Sequence, residues 1–153
     1  MVLKNGQDTI NGTEGSVIAT IDGQVEPLFY IKDFEAEVEL NKEEVKFLGS
    51  RATHHKVTGW TGSGSMTIHY ITSKFREIVI GYIKNGILPQ MSLVGTNNDP
   101  ASSAGWQTAV LKSVILDGSI MFKLANEDEV LDEDVDFTFE DVDLLDKFNK
   151  PIV

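Results

Sequence analysis

Residues 34–40 read Phe34-Glu35-Ala36-Glu37-Val38-Glu39-Leu40. Apolar and acidic side chains alternate without a break. A strand sends successive side chains to opposite faces, so Phe34, Ala36, Val38 and Leu40 share one face and Glu35, Glu37 and Glu39 the other. Wound as a helix, the same residues would scatter both sets around the axis. The stretch is therefore expected to be a strand, with its apolar side on a core and a row of carboxylates on the opposite side. Val45 and Phe47 can continue it beyond Asn41-Lys42.

Working outward, the same period returns. Ser16 to Ile21 is a short β-rich run, and Asp22-Gly23 behind it is a hairpin-turn signal. Met66, Ile68 and Tyr70 alternate with Thr67 and His69, and Val135, Phe137 and Phe139 alternate with Asp136, Thr138 and Glu140. Gln107 to Leu116, the turn Asp117-Gly118, and Ser119 to Leu124 suggest a second hairpin. Ile87 to Val94 reads as a strand broken by Pro89 and so placed at an edge. Thr96 to Gly105 reads as a loop.

One helix stands out. Phe75, Ile78, Val79, Tyr82 and Ile83 form a single apolar stripe, with Ser73 as a cap before it and Gly86 as a terminator after it. Gly81 suggests close packing of this helix on the sheet. Residues 1–15 are polar and without period, as expected of a flexible N-terminal arm. Residues 49–64 hold little apolar periodicity and many turn formers, which predicts a long inter-strand loop. The sum is a mainly β chain: a two-sheet β-sandwich or distorted barrel with one flanking α-helix. No domain boundary is visible, so residues 1–153 are expected to form one domain.

Composition narrows the function by exclusion. The chain has no cysteine, which removes disulfides, thiolate metal sites and cysteine nucleophiles. Residues 1–15 hold no apolar core of signal-peptide length, and the longest apolar stretch, near Ile78 to Ile83, is too short for a membrane span. The formal net charge is −11, and residues 127–146 hold eleven acids and no base. That balance disfavours tight nucleic-acid binding, which needs clustered Lys and Arg. The acidic run reads first as a solvated strand face plus a loop. A calcium loop of the EF-hand kind would need a glycine at its sixth position, and Asp132-Glu133-Asp134-Val135-Asp136-Phe137 has none.

Known catalytic patterns fail in turn. Gly59-x-x-Gly62-x-Gly64 is not the dinucleotide spacing, and a strand follows where a helix is required. No Gly-Lys-Ser/Thr follows to make a phosphate loop. Gly62-Ser63-Gly64 is one residue short of a nucleophile elbow. His54 and His55 are adjacent, so on a strand they point apart and cannot converge on a metal. No enzyme activity, cofactor or metal is expected.

The order of these pieces is informative. FEAEVELNKEEVKFLGS is followed by Arg51 and Lys56, then by Gly59-Trp60-Thr61-Gly62-Ser63-Gly64-Ser65-Met66-Thr67, His69-Tyr70 and the amphipathic helix. The later hairpin and Phe137-Thr138-Phe139-Glu140 fit the same order. This arrangement, over roughly residues 14–146, resembles the tail tube proteins of contractile-tailed phages, PBSX-type phage-like particles and R-type bacteriocins. The glycine-serine-Met66-Thr67 strand start and its neighbouring Trp60 are the most specific parts. The acidic segment 126–134 lies outside the resemblance.

The resemblance implies a subunit that forms hexameric rings, which stack into a hollow tube inside a sheath. Strands of neighbouring subunits would join into one barrel around the lumen. Its partners would be copies of itself, tail sheath and baseplate proteins. DNA would pass through without specific binding, and no membrane segment is implied. Its place would be the virion tail or a phage-like particle, after synthesis in the bacterial host cytoplasm. Glu35, Glu37 and Glu39 become candidates for the lumen face. Arg51, His54, His55, Lys56, Trp60, Gly62 and Gly64 become candidates for contacts between rings and subunits. Two other readings remain open at this point: a secreted tube protein of a type VI-like system, and a monomeric β-sandwich module that binds a ligand through its exposed aromatics.

Overall fold

A computed structural model describes residues 6–28, 31–126 and 128–150. Nine strands and one α-helix are assigned among them. The strands β1 (Gly15–Ile21), β2 (Gln24–Pro27), β5 (Met91–Asn98), β6 (Trp106–Lys112) and β9 (Asp141–Asp146) form a five-stranded antiparallel sheet in the order β2-β1-β5-β6-β9. The strands β3 (Ile31–Val45), β4 (His54–His69), β7 (Ile115–Leu116) and β8 (Asp132–Phe139) form a four-stranded antiparallel sheet in the order β3-β4-β8-β7. The two sheets remain open and do not close into a barrel. Between them lie Ala19, Ile21, Met66, Ile68, Leu93, Leu111, Val135, Phe137 and Phe139, all buried.

The sequence signals account for much of this. Asp22 (φ 50°) and Gly23 (φ 81°) make the two-residue turn that joins β1 to β2, with Ile21 opposite Gln24. Both left-handed residues match the twist of the strands they join. The helix α1 (Lys74–Asn85) ends at Gly86 (φ 69°), whose N–H bonds the Tyr82 carbonyl. Phe75 and Ile78 bury the first half of its apolar stripe in the core. No helix among the described residues is long and apolar enough to cross a membrane.

Other expectations change. Ser73 precedes the helix, but the side-chain acceptor there is Thr72 Oγ1, which takes the Lys74 N–H. A Cβ on Gly81 would meet nothing within 4 Å, so that glycine does not mark close packing. The strand placed at residues 87–94 begins instead at Met91, after Pro89, and runs to Asn98 in the middle of its sheet. Proline's missing donor is therefore kept out of a strand that needs ladders on both sides. The part of the presumed arm between residues 6 and 14 is tied down: Asp99 Oδ2 accepts the Asn11 N–H, and the Glu14 carbonyl accepts the Asn98 N–H.

The hairpin expected across Asp117-Gly118 does not form. The chain leaves the first sheet at Ser113 (φ 53°), buries Val114, and enters the second sheet as β7. Near the same corner β8 crosses back to become β9, and the Glu140 N–H bonds the Lys112 carbonyl. Asp117 donates its N–H to Asp136, prolonging the β7–β8 ladder. Beyond it, side chains serve the backbone of the irregular run: Arg76 donates to the Ile120 carbonyl, and Tyr70 Oη accepts the Lys123 N–H.

Candidate functional site

Register fixes which residues share a face. Asp33, Glu35, Glu37 and Glu39 on β3 stand opposite Thr67, Ser65, Ser63 and Thr61 on β4. Next to them on β8 stand Asp134 opposite Thr67, Asp136 opposite Ser65, and Thr138 opposite Ser63. Paired residues of an antiparallel ladder project to the same side. The outer face of the four-stranded sheet therefore carries a central row of hydroxyls between two flanks rich in carboxylates. Thr67 Oγ1 donates to Asp134 Oδ1 at 2.8 Å. Glu35, Glu37, Ser63, Ser65, Asp117 and Asp136 border a shallow hollow of about 360 Å³. At the end of this face where β8 begins, Asp132 accepts from Lys32 at 2.7 Å and from His69 at 3.2 Å. The hydrogen bond to Lys32 is the main reason the Asp132 carboxyl is held below the ordinary carboxylate range, and the same bond raises Lys32.

The opposite face of β4 explains its glycines. A Cβ on Gly64 would lie 2.6 Å from the Glu35 carbonyl oxygen and 2.6 Å from Phe137 Cε2. One on Gly62 would lie 2.5 Å from Phe139 Cε2. Each glycine is thus a hole in the sheet that a neighbouring phenylalanine ring fills. Phe34 stacks on Phe137 at 5.6 Å between centroids, and Trp60 tilts against Phe139 at 6.2 Å.

The predicted loop over 49–64 is mostly strand. β4 begins at His54, and β3 and β4 pair from Ile31–Ile68 out to Val45–His54, with a register shift at Asn41/Lys42. Only residues 46–53 are irregular. Glycine and polar residues depress strand propensity in isolation, but ladder pairing and cross-strand rings override it. Of the proposed contact residues, Gly62 and Gly64 lie in the sandwich. Trp60 lies at its margin. Arg51, His54, His55 and Lys56 lie on a projecting ribbon.

That ribbon exists because β4 pairs with β8 only from Gly62 to His69, so nothing but β3 accompanies residues 54–61. Val38, Leu40, Val57 and Trp60 are left exposed, and so are Phe47 and Leu48 at the tip. At the tip Phe47 meets the His54 ring edge-on at 5.1 Å, and Ser50 Oγ lies 3.0 Å from His54 Nε2.

One residue of the acidic run behaves unlike its neighbours. Glu133 stands opposite Ile68 and points into the core, where its side chain has 0% exposure. Arg76 of α1 reaches it at 2.9 Å. The same guanidinium donates to the Thr72 and Ile120 carbonyls and lies 4.6 Å from the Tyr70 ring centroid. The run 127–146 is thus not one solvated face. The signal was present in the alternation: Glu133 and Val135 share a parity opposite to Asp132, Asp134 and Asp136.

The fold is an open two-sheet β-sandwich with one helix, an acidic outer face and a ribbon bare on one side. The sequence profile of the phage tail tube protein family matches residues 3–146, and the chain belongs to this family. It is 40% identical over 149 residues to the phage-like element PBSX protein XkdM of Bacillus subtilis strain 168, covering 97% of this chain and 98% of that one. Its fold is similar to a chain of the anti-feeding prophage tube-terminating cap, with TM-score 0.67 and 10% identity over 94% and 93% of the two chains. It is also similar to a chain of the six-fold symmetrised anti-feeding prophage baseplate, with TM-score 0.62 and 12% identity over 86% and 92%.

Proposed function

We propose that the chain, acting as a single tail-tube domain over residues 1–153, polymerises as stacked hexameric rings into the inner tube of a contractile phage tail or phage-tail-like particle. The tube is a conduit for DNA or an instrument of membrane puncture. The observation that carries this reading is the one-sided four-stranded sheet: apolar toward the sandwich, acidic and hydroxylic outside, with the long β3 free at its edge.

A free edge is a row of unpaired donors and acceptors that another strand can complete. Pairing β3 of one copy with the β7–β8 side of the next extends the sheet sideways with its acidic face always on the same side. Six copies of the four-stranded sheet, spaced at about 4.8 Å per strand, close a ring roughly 40 Å across at the backbone. Glu35, Glu37 and Glu39 then line the lumen, and like charge keeps DNA from adhering to it. Sheath and baseplate proteins are the remaining partners, and assembly follows synthesis in the bacterial host cytoplasm.

Negative-stain electron microscopy of the concentrated protein tests the reading. Hollow tubes about ten nanometres wide are expected, the width following from a closed multi-strand wall with surrounding layers. A monomer at every concentration would overturn it. The lumen assignment has its own test in E35K/E37K/E39K, which should still polymerise while retaining DNA. Unchanged DNA passage would send these glutamates to the outer surface instead.

A further inference from the structure

The chain contains three Asn-Gly pairs: Asn5-Gly6, Asn11-Gly12 and Asn85-Gly86. In such a pair the main-chain nitrogen after asparagine can attack the asparagine carboxamide, and glycine has no Cβ to shield that nitrogen. Asn5 lies outside the described residues. The other two pairs have opposite settings. Gly86 is the left-handed terminator of α1, and its N–H donates to the Tyr82 carbonyl at 2.7 Å. That nitrogen is engaged and Asn85 is the last helical residue, so the helix end must open before attack.

At Asn11-Gly12 nothing has to open. Asn11, Gly12, Thr13 and Glu14 are exposed, in a turn closed by the Glu14 N–H on the Asn11 carbonyl at 3.1 Å. Gly12 has no positive φ, and a Cβ on it would meet nothing within 4 Å, so neither backbone nor packing requires glycine there. Its N–H has no acceptor among the described residues. Asn11 Oδ1, in contrast, accepts twice: from the Thr13 N–H at 3.1 Å and from the Thr13 hydroxyl at 3.0 Å. Two donors on one carbonyl oxygen polarise its carbon and stabilise the negative charge that grows on the oxygen when a nucleophile adds.

We propose that Asn11 is a site of spontaneous deamidation, with Thr13 acting as its oxyanion seat. The Gly12 nitrogen gives its proton to a base in solvent and bonds to Asn11 Cγ. Negative charge collects on Oδ1 between the two Thr13 donors. Collapse breaks the Cγ–Nδ2 bond, and Nδ2 takes a proton from water and leaves as ammonia. Water then opens the resulting succinimide. Cleavage of the bond from the Gly12 nitrogen to Cγ gives aspartate; cleavage of its bond to the main-chain carbonyl carbon gives isoaspartate. No oxidant or reductant is needed, and the chemistry does not depend on an assembled tube.

The site matters because of what it ties down. Asp99, buried at 7% exposure, accepts the Asn11 N–H at 2.9 Å, and the Glu14 carbonyl accepts the Asn98 N–H at 3.0 Å. Isoaspartate lengthens the main chain by a methylene and turns the Asn11 carbonyl into a free carboxylate near Asp99. The turn that sets Glu14 against Asn98 is lost, and like charge meets the anchor. Conversion therefore releases residues 11–14 from the start of the loop after β5.

Ageing the purified chain at mildly alkaline pH tests this, with isoaspartate quantified by isoaspartyl methyltransferase labelling and located by tandem mass spectrometry. In the folded protein, isoaspartate should build up at Asn11 well before Asn85; in urea the two should convert at similar rates. G12A fits the turn without a clash and should slow conversion. T13V removes one donor and should slow it roughly tenfold, the kinetic worth of one hydrogen bond. In aged protein, hydrogen exchange should quicken at the Asn98 amide while Leu93, in mid-strand, stays protected. Equal rates at Asn11 and Asn85 in the folded state, or equal rates for parent and T13V, would overturn the assignment. Unchanged exchange at Asn98 in converted protein would overturn the release.

Discussion

The inner and outer halves of the β3–β4 ribbon are built from the same two strands and behave as different materials. From Phe34–Met66 to Val38–Gly62 the ribbon is part of a sheet, with β8 alongside Gly62–His69 and buried Phe137 and Phe139 filling the glycine holes. From Leu40–Trp60 to Val45–His54 it is two strands with no third, and its apolar side chains are exposed. An isolated two-stranded ribbon is marginal in water. The alternation that makes a strand is the same in both halves, so it says which side chains share a face and nothing about what covers that face. In the inner half this chain covers Phe34, Gly62, Gly64 and Met66, while Val38 on the edge strand stays exposed; in the outer half we propose that another copy supplies the cover.

Substitution should expose the contrast most sharply at the aromatic and aliphatic positions. F137A removes a fully buried ring and should cost roughly 3–5 kcal/mol in urea unfolding. L40A, on the same strand pair but exposed, should change stability by about 0.5 kcal/mol or less. If the two costs prove similar, the outer half is buried in the free protein. Arg76→Ala should cost a comparable ~3–5 kcal/mol, because it strands the buried Glu133, whose Oε1 meets no hydrogen-bond donor among the described residues.

The glycines of β4 give a smaller pair. G64A drives a Cβ toward a backbone oxygen that cannot move freely and should cost on the order of 2–3 kcal/mol. At Gly59, on the ribbon, the nearest atom to an added Cβ is Asn41 Nδ2 at 3.9 Å, so G59A should be near neutral or slightly stabilising. Thermal melts of the two variants check the difference; equal losses would mean that the ribbon glycines are packed as tightly as those of the sandwich.

The smallest effect concerns pH. Asp132 is depressed in the folded state, so its contribution is present above the ordinary carboxylate pKa of about 4 and is lost as pH falls through the lower folded value. Lys32 is raised, so its share is present below the ordinary lysine pKa of about 10.4 and is lost as pH climbs through the higher folded value. D132N should remove both dependences with little change near neutrality, since the pair is solvent-exposed. A D132N stability profile that still fell off like the parent's at both limbs would place the dependence elsewhere.

How far the sequence could be read follows from what each signal depends on. Glu35, Glu37 and Glu39 were legible as one face because alternation is local. The Asp22-Gly23 turn and Gly86 were legible because both depend on backbone angles that few residues tolerate. Gly62 and Gly64 misled toward a loop because the rings that make them strand residues come from Phe137 and Phe139, far along the chain. A trace of this was visible, since Gly62-x-Gly64 and Phe137-x-Phe139 share the same spacing of two. Glu133 was hidden inside a run of acids, where its burial depends on Arg76 arriving from the helix. The strand β9 went unread because its Leu144 and Leu145 break the alternation at a sheet edge.

We propose that the outer ribbon is an assembly surface and not part of the folding unit. Excising residues 42–58 and joining Asn41 to Gly59 through an Asn-Gly turn leaves the paired inner half and all of Phe137's contacts in place. Electron microscopy of this variant beside the parent is the direct measurement. Tubes are expected from the parent and none from the shortened chain, which should remain folded. Tubes of parental length from the shortened chain would contradict it.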